Sequence, residues 1–264
     1  MDSMLRGLRL AASLGATLLT IGCSAVGVSG PGDGTFVGGP PDRFNFNDRN
    51  NWAPPAVPTG TATVPLGSSP PNPLINFSES TTSLDAVRLE GDLGLTVESK
   101  QFLKLKPTGQ GLILCCKQAH AHINGELTGN VSIGDASGTV GNQLSGGGTI
   151  NGSIQHRGGT LSPGSGPALP VMTVFGTYEQ QPTAGLGVDV FAEGANRLEV
   201  RGAATLGGLL VIYVDDPTKI PIAPFKVLTA GHGRRGEFSQ VRVERGTLKK
   251  IDYNPNDVTV TIGK

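Results

Sequence analysis

"GGTINGSIQHRGGTLSPGSG", residues 147–166, carries seven glycines, an Asn151-Gly152 turn and a Ser162-Pro163-Gly164-Ser165 corner within twenty positions. Glycine-rich loops hold phosphates when a strand precedes and a helix follows them. No helical period of apolar residues follows this stretch. The other use of such glycines is to turn an extended chain through tight corners. A second Ile-Asn-Gly begins at Ile123, 27 residues before the one at Ile150, and each has an apolar residue two positions beyond its glycine. That spacing suits one coil of a β-solenoid, whose repeats run about 20–30 residues. In such a coil three short strands meet at corners where Gly and Asn adopt the left-handed backbone conformation. Successive coils stack about 4.8 Å apart and share one apolar interior. The alternative is a sandwich of Asn-Gly hairpins, with antiparallel neighbours through residues 120–200.

Outward from this stretch, strict alternation recurs. In "LDAVRLEG" Asp85, Val87 and Leu89 share a face; in "FLKLKP" Leu103 and Leu105 alternate with Lys104 and Lys106. "VMTVFGTY", "GLGVDVF", "NRLEVRG", "QVRVERG" and "DVTVTIG" read the same way, as strands with one wet face. Glycine and proline make up 59 of the 264 residues, spread among β-branched positions rather than in low-complexity runs. The expected class is all-β, built from many short strands. Lys plus Arg equals Asp plus Glu, 21 each. No net field therefore steers the chain to nucleic acid.

The first residues, "MDSMLRGLRLAASLGATLLTIGCSAVG", place Arg6 and Arg9 before an apolar run, Leu10 to Ile21, and then small residues. This is the pattern of a secretory signal. The run is short for a membrane span. "TIGC" is similar to the lipobox of bacterial lipoproteins, which would make Cys23 a lipidated N-terminus, although Thr20 stands where Leu is favoured. Ordinary cleavage beside Cys23 reads equally well. Residues 26–43 are rich in Gly, Pro and Ser and read as a flexible tether. Three cysteines are too few for a disulfide framework. Adjacent Cys115 and Cys116 would point to opposite faces of a strand.

Several groups invite a chemical reading. Asp215 and Asp216 in "YVDDPT", with His232 in "AGHGRRG", echo the paired carboxylates and Gly-His-Gly of pectin hydrolases of the polygalacturonase family. No Asn-Thr-Asp precedes them and no Arg-Ile-Lys follows, and "VDDP" reads as a turn ending a strand. His120 and His122 in "CCKQAHAH" share a strand face as two metal ligands would. The cysteines beside them straddle the strand, and the spacing matches no zinc pattern. A solvated strand face is the simpler reading. Lys249-Lys250 and Arg234-Arg235 read as solvated loops or edge protection. No Ser/His/Asp triad can be placed. No catalytic, cofactor-binding or metal-binding residue is assigned, and no cofactor is expected.

Taken in order, the segments resemble the passenger regions of bacterial autotransporters. "NWAPPAVPTGTATVPLG" is similar to the stretch that opens many passengers. "INGSIQHRGGTLSPGSGPALPVMTVFGTYEQ" is similar to their Gly-Gly-Thr-Leu-Ser-Pro-Gly corner. "NRLEVRGAATLGGLLVIYV", "FKVLTAGHGRRGEFSQV" and "IDYNPNDVTVTIGK" resemble their last strands. The resemblance spans most of residues 45–264, and the translocator barrel of autotransporters is not expected to be part of it. It implies a right-handed parallel β-helix with a C-terminal β cap, at the surface, outer membrane or exterior of a Gram-negative cell. The expected division is a signal over 1–25, a linker over 26–43, a solenoid over 44–198 entered near Trp52, and a cap over 199–264. The expected role is non-enzymatic, adhesion or a surface scaffold. The expected partners are host or neighbouring-cell surfaces or glycans and the outer-membrane translocation machinery, with membrane contact only through a lipid on Cys23. A polysaccharide-active β-helix enzyme and a carbohydrate-binding module are the alternatives.

Overall fold

A computed structural model of the chain describes residues 30–38, 45–65, 74–76, 83–91, 94–116, 118–135, 141–164, 166–220 and 223–263. The expected signal segment 1–25, with Cys23, lies outside the described residues. The chain winds as a right-handed parallel β-solenoid of about six turns. From Gly94–Val97 onward the chain visits three sheets in the same order, turn after turn. One coil runs Ile154–His156 in the first sheet, Gly159–Ser162 in the second and Val171–Val174 in the third, then returns to the first at Tyr178–Gln180.

The alternation read from the sequence becomes three buried columns, because the inward residue of each strand pairs with the inward residue one coil away. In the first sheet Leu112, Val131, Ile154 and Tyr178 stack in register. In the second, Ala121, Leu144, Leu161 and Leu186 do so. In the third, Leu103, Leu127, Ile150 and Val174 do so. All of these are buried. A single coil is too thin to hide its own aliphatic stripe, so burial and stacking come together.

The repeat is real but its register differs from the Ile-Asn-Gly alignment. Ile150 pairs with Leu127, not with Ile123, which lies in the second-sheet strand His120–Ile123. Corner loops vary from coil to coil, so partners in the first sheet stand 19 residues apart at Leu112 and Val131 and 30 apart at Ala204 and Arg234. No constant sequence period could capture that.

The corners bear out the glycine half of the expectation, since Gly134, Gly146 and Gly159 have positive φ (72°, 114° and 76°), but not the asparagine half. Among the described residues no asparagine has a positive φ. Corner asparagines instead tie coils together: Asn130 Oδ1 accepts from Ser153 N (3.0 Å), and Ser153 Oγ accepts from Thr177 N (3.0 Å). Gly129, Gly152, Gly176 and Gly202 form a column at the corner from the third sheet to the first. Gly176 N donates to Gly152 O (2.9 Å) and Gly202 N to Gly176 O (3.0 Å). A Cβ on Gly152 would stand 2.0 Å from Gly129 O. At Gly152, whose φ is not positive, close stacking alone requires glycine, whereas Gly129 also has a φ of 134°.

The boundaries move outward at both ends. Within the expected linker, Gly34–Phe36 is a strand that pairs parallel with Thr61–Val64 and antiparallel with Trp52–Ala53. The Trp52 indole packs edge-on against Phe36 (5.3 Å) and Phe46 (4.8 Å), and its Nε1–H donates to Phe46 O (2.7 Å). These three aromatic rings close the N-terminal end of the core. Parallel coiling continues past residue 198, through Arg234–Gly236 and Gln240–Glu244. The antiparallel cap is only Thr247–Tyr253 with Asp257–Gly263, added to the third sheet beside Pro224–Ala230.

Candidate functional site

The outward residues of each sheet also form rows, because the inter-coil register that aligns the core aligns the surface. Along the first sheet the row runs Arg88, Ile113, Ser132, Gln155, Glu179, Thr205, Arg235. A groove of about 390 Å³ follows its middle, with Ile113, Ser132, Gln155 and Glu179 among its lining and Asp135 and Arg157 at the corner with the second sheet. Arg157 Nη2 donates to Gln155 Oε1 (2.6 Å), and Gln181 Nε2 donates to Glu179 Oε1 (2.6 Å). The groove is thus a strip of oriented amides and charges with mixed sign. It suits hydrogen bonding to an extended polar ligand. Sequence reading missed it, because Gln155 and Glu179 become neighbours only once the coil register is known.

The second sheet brings together three residues that resemble a nucleophile, a base and an orienting group. His122 Nδ1 is 2.9 Å from Ser145 Oγ, and His122 Nε2 is 2.9 Å from Asn124 Nδ2. The amide is pinned, because Gly147 N donates to Asn124 Oδ1 (3.2 Å). Asn124 Nδ2 therefore donates to Nε2, and the imidazole proton resides on Nδ1, pointing at Ser145. The serine hydroxyl turns to Ala121 O, a long contact of 3.5 Å. A general base needs a lone pair toward the hydroxyl; this tautomer presents a proton instead. The cluster is a link between coils. ¹⁵N NMR of the protein is expected to show His122 with its proton on Nδ1. Asn124→Asp, which can only accept, is expected to move that proton to Nε2; an unchanged tautomer would overturn the assignment.

The residues singled out in the sequence fall in separate places. His120 and His122 do share the outer face of the second sheet, in register with Gln143 and Ser145. Cys115 and Cys116 lie beyond the end of the first-sheet strand Gly111–Leu114, so strand alternation does not apply to them. Cys115 is a buried free thiol beside the groove, and burial raises its pKa. Cys116 has a φ of 77°, and its sulfur stands 3.4 Å from that of Cys115. Among the described residues no group of three or more His, Cys, Asp or Glu could hold a metal ion.

Asp216 caps its own turn: Oδ1 accepts from Thr218 N (2.9 Å) and Thr218 Oγ1 (2.7 Å), and Lys219 Nζ stands 3.2 Å from Oδ2. The Thr218 hydrogen bonds, with Lys219, hold its carboxyl down to about 2. Asp216 follows the second-sheet strand Leu209–Val214, whereas His232 sits in the turn between Pro224–Ala230 and Arg234–Gly236. The two belong to different corners, and the pectinase echo does not assemble.

One polar cluster is internal. His156, Tyr178 and Gln180 are buried in the first sheet. Gln180 Nε2 donates to Ala184 O and Leu209 O (3.1 Å each), which turns Oε1 to accept from the Tyr178 hydroxyl (2.8 Å). Tyr178 Oη lies 3.0 Å from His156 Nδ1, and His156 Nε2 lies 3.2 Å from Gly159 O. It is a structural network closed off from solvent.

No protein-family model matches the chain, and no curated protein matches it significantly.

Proposed function

We propose that the chain is an exported, non-enzymatic β-solenoid of the cell envelope, a relative in kind of autotransporter passengers, acting in adhesion or as a surface scaffold. The observation that carries this reading is the aligned polar row on the first sheet. A stack of coils offers a long surface whose chemistry is set one residue per rung. The signal-like N-terminus and the ordered resemblance of residues 45–264 to passengers support export. A lipid on Cys23 is the proposed attachment, and the outer-membrane machinery the proposed route.

The test is expression of the full chain in a Gram-negative host, with mass spectrometry of the mature N-terminus and protease treatment of intact cells. A lipid-modified Cys23, lost in Cys23→Ala, and cleavage of the solenoid from outside are expected. An unprocessed Met1 start in the cytoplasm would sink the proposal. The groove also favours a second reading, a carbohydrate-binding surface without turnover. Binding of the purified protein to a glycan array, abolished by Gln155→Ala with Glu179→Ala, would select it. Release of reducing sugar from pectin, lost in Asp216→Asn, would favour a polysaccharide-active enzyme over both.

A further inference from the structure

The two ends of the solenoid are finished differently. At the N-terminal end Phe36, Phe46 and Trp52 are 1–3% exposed. At the C-terminal end Val241, Val243, Leu248, Ile251 and Tyr253 pack against the core but are only partly buried. The first and second sheets end in the coil that contains Arg234–Gly236 and Gln240–Glu244. The third extends two strands past Pro224–Ala230, to Asp257–Gly263 and then Thr247–Tyr253. Among the described residues Thr247–Tyr253 is therefore the strand that projects farthest, paired on one side only. Open strand edges invite another strand, and proteins control which one.

This edge carries its own selection rule. Lys250 and Asp252 lie on the same outward face, 2.8 Å apart, and flank the half-buried Ile251. We propose that Thr247–Tyr253 pairs antiparallel with the same strand of a second copy, about a two-fold axis through Ile251. Lys250 then faces the partner's Asp252, twice by symmetry, and Ile251 meets the partner's Ile251 on the core side. Sliding the pair by two residues in either direction sets Lys250 against the partner's Lys250, or Asp252 against the partner's Asp252. Opposite charges across strands stabilise and like charges destabilise, so one register is selected. The lysine that guards the edge against arbitrary strands thus admits one partner.

The edge of Gln240–Glu244 has a similar pattern, with Arg242 and Glu244 2.8 Å apart around Val243. It stands a rung lower. A two-fold axis through it would drive the projecting Thr247–Tyr253 into the partner. The structure thus favours one of two similar edges. The contact is small, so a weak dimer is expected. In a solenoid held to a surface by its N-terminus, as proposed above, this end points outward, and the dimer would join molecules on opposing surfaces. The contact in solution does not depend on that reading.

Sedimentation velocity of the purified solenoid over a concentration series tests it. Concentration-dependent dimerisation is expected. Lys250→Asp or Asp252→Lys alone should weaken it about tenfold, because two attractive pairs become repulsive. The exchange Lys250→Asp with Asp252→Lys should restore it, and Arg242→Glu should leave it unchanged. Circular dichroism checks that each variant is folded. A monomer at every concentration, single variants without effect, or failure of the exchange to restore association would overturn the proposal. None of these outcomes bears on export, which is read separately from the mature N-terminus.

Discussion

Gly152→Ala is expected to cost about 3 kcal/mol of stability, at the upper end of ordinary overpacking. The added methyl would lie 2.0 Å from Gly129 O and 2.5 Å from Gly129 C, both backbone atoms of the preceding coil. A flexible side chain could swing away; a rung hydrogen-bonded to its neighbours cannot. Relief would require parting the two coils at the corner, which strains the Asn130–Ser153 link beside it. Gly185→Ala is the matching control. Its Cβ would meet only Gly159 O, at the ordinary distance of 3.7 Å, and its φ is not in the left-handed region. That change is expected to be neutral or to stabilise slightly, by restricting the unfolded chain. Urea unfolding of both variants against the parent checks the pair. Equal stability losses would show that the glycine column is not a packing requirement.

Acid is expected to remove about 3 kcal/mol between pH 6.5 and pH 4 through His156. Burial pushes its pKa down from 6.5 to about 4, against a smaller opposing effect of the Gly159 carbonyl. The folded value lies below the unfolded one, so between the two the unfolded chain binds the extra proton. The stability from the neutral imidazole is complete above about pH 6.5 and is lost as pH falls through that window, at about 1.4 kcal/mol per pH unit. Burial resists the charge, whereas the Gly159 carbonyl, 3.2 Å from Nε2, favours it. Gln180 commits the Tyr178 proton to its own Oε1, so His156 Nδ1–H serves Tyr178 Oη and only a second proton could serve Gly159 O.

Urea unfolding at pH 7.5, 5.5 and 4.5, repeated on His156→Gln, isolates the effect. The variant should lose much less stability over the window. Asp189, whose pKa burial raises, acts in the opposite sense and is common to both proteins. Asp216, held at about 2, titrates below the window. Parallel pH profiles for parent and variant would contradict the assignment.

Most of the architecture was legible because a solenoid states its rule locally. Leu103 and Leu105 against Lys104 and Lys106 show one wet and one dry face in six residues, and glycines mark many of the corners. What could not be read was which strand sits on which. Ile123 and Ile150 look equivalent in the chain and belong to different sheets. Corner loops of unequal length shift the phase from coil to coil. For the same reason the Gln155–Glu179 row and the Ser145–His122 link were invisible: each joins residues from successive coils. The linker estimate failed at Gly34–Phe36 because composition reports what a segment could do alone, and this strand is held by Thr61–Val64 and Trp52–Ala53.

Local patterning alone therefore settled the class: short strands, one dry face each, turned by glycine and stacked because a single coil cannot bury its stripe. Three-dimensional stacking settled the rest, namely the coil register, the rows of outward side chains, the proton position on His122 and the unequal finish of the two ends. These depend on neighbours about 20–30 residues away, whose alignment is fixed by backbone hydrogen bonds between coils and not by any signal within one coil.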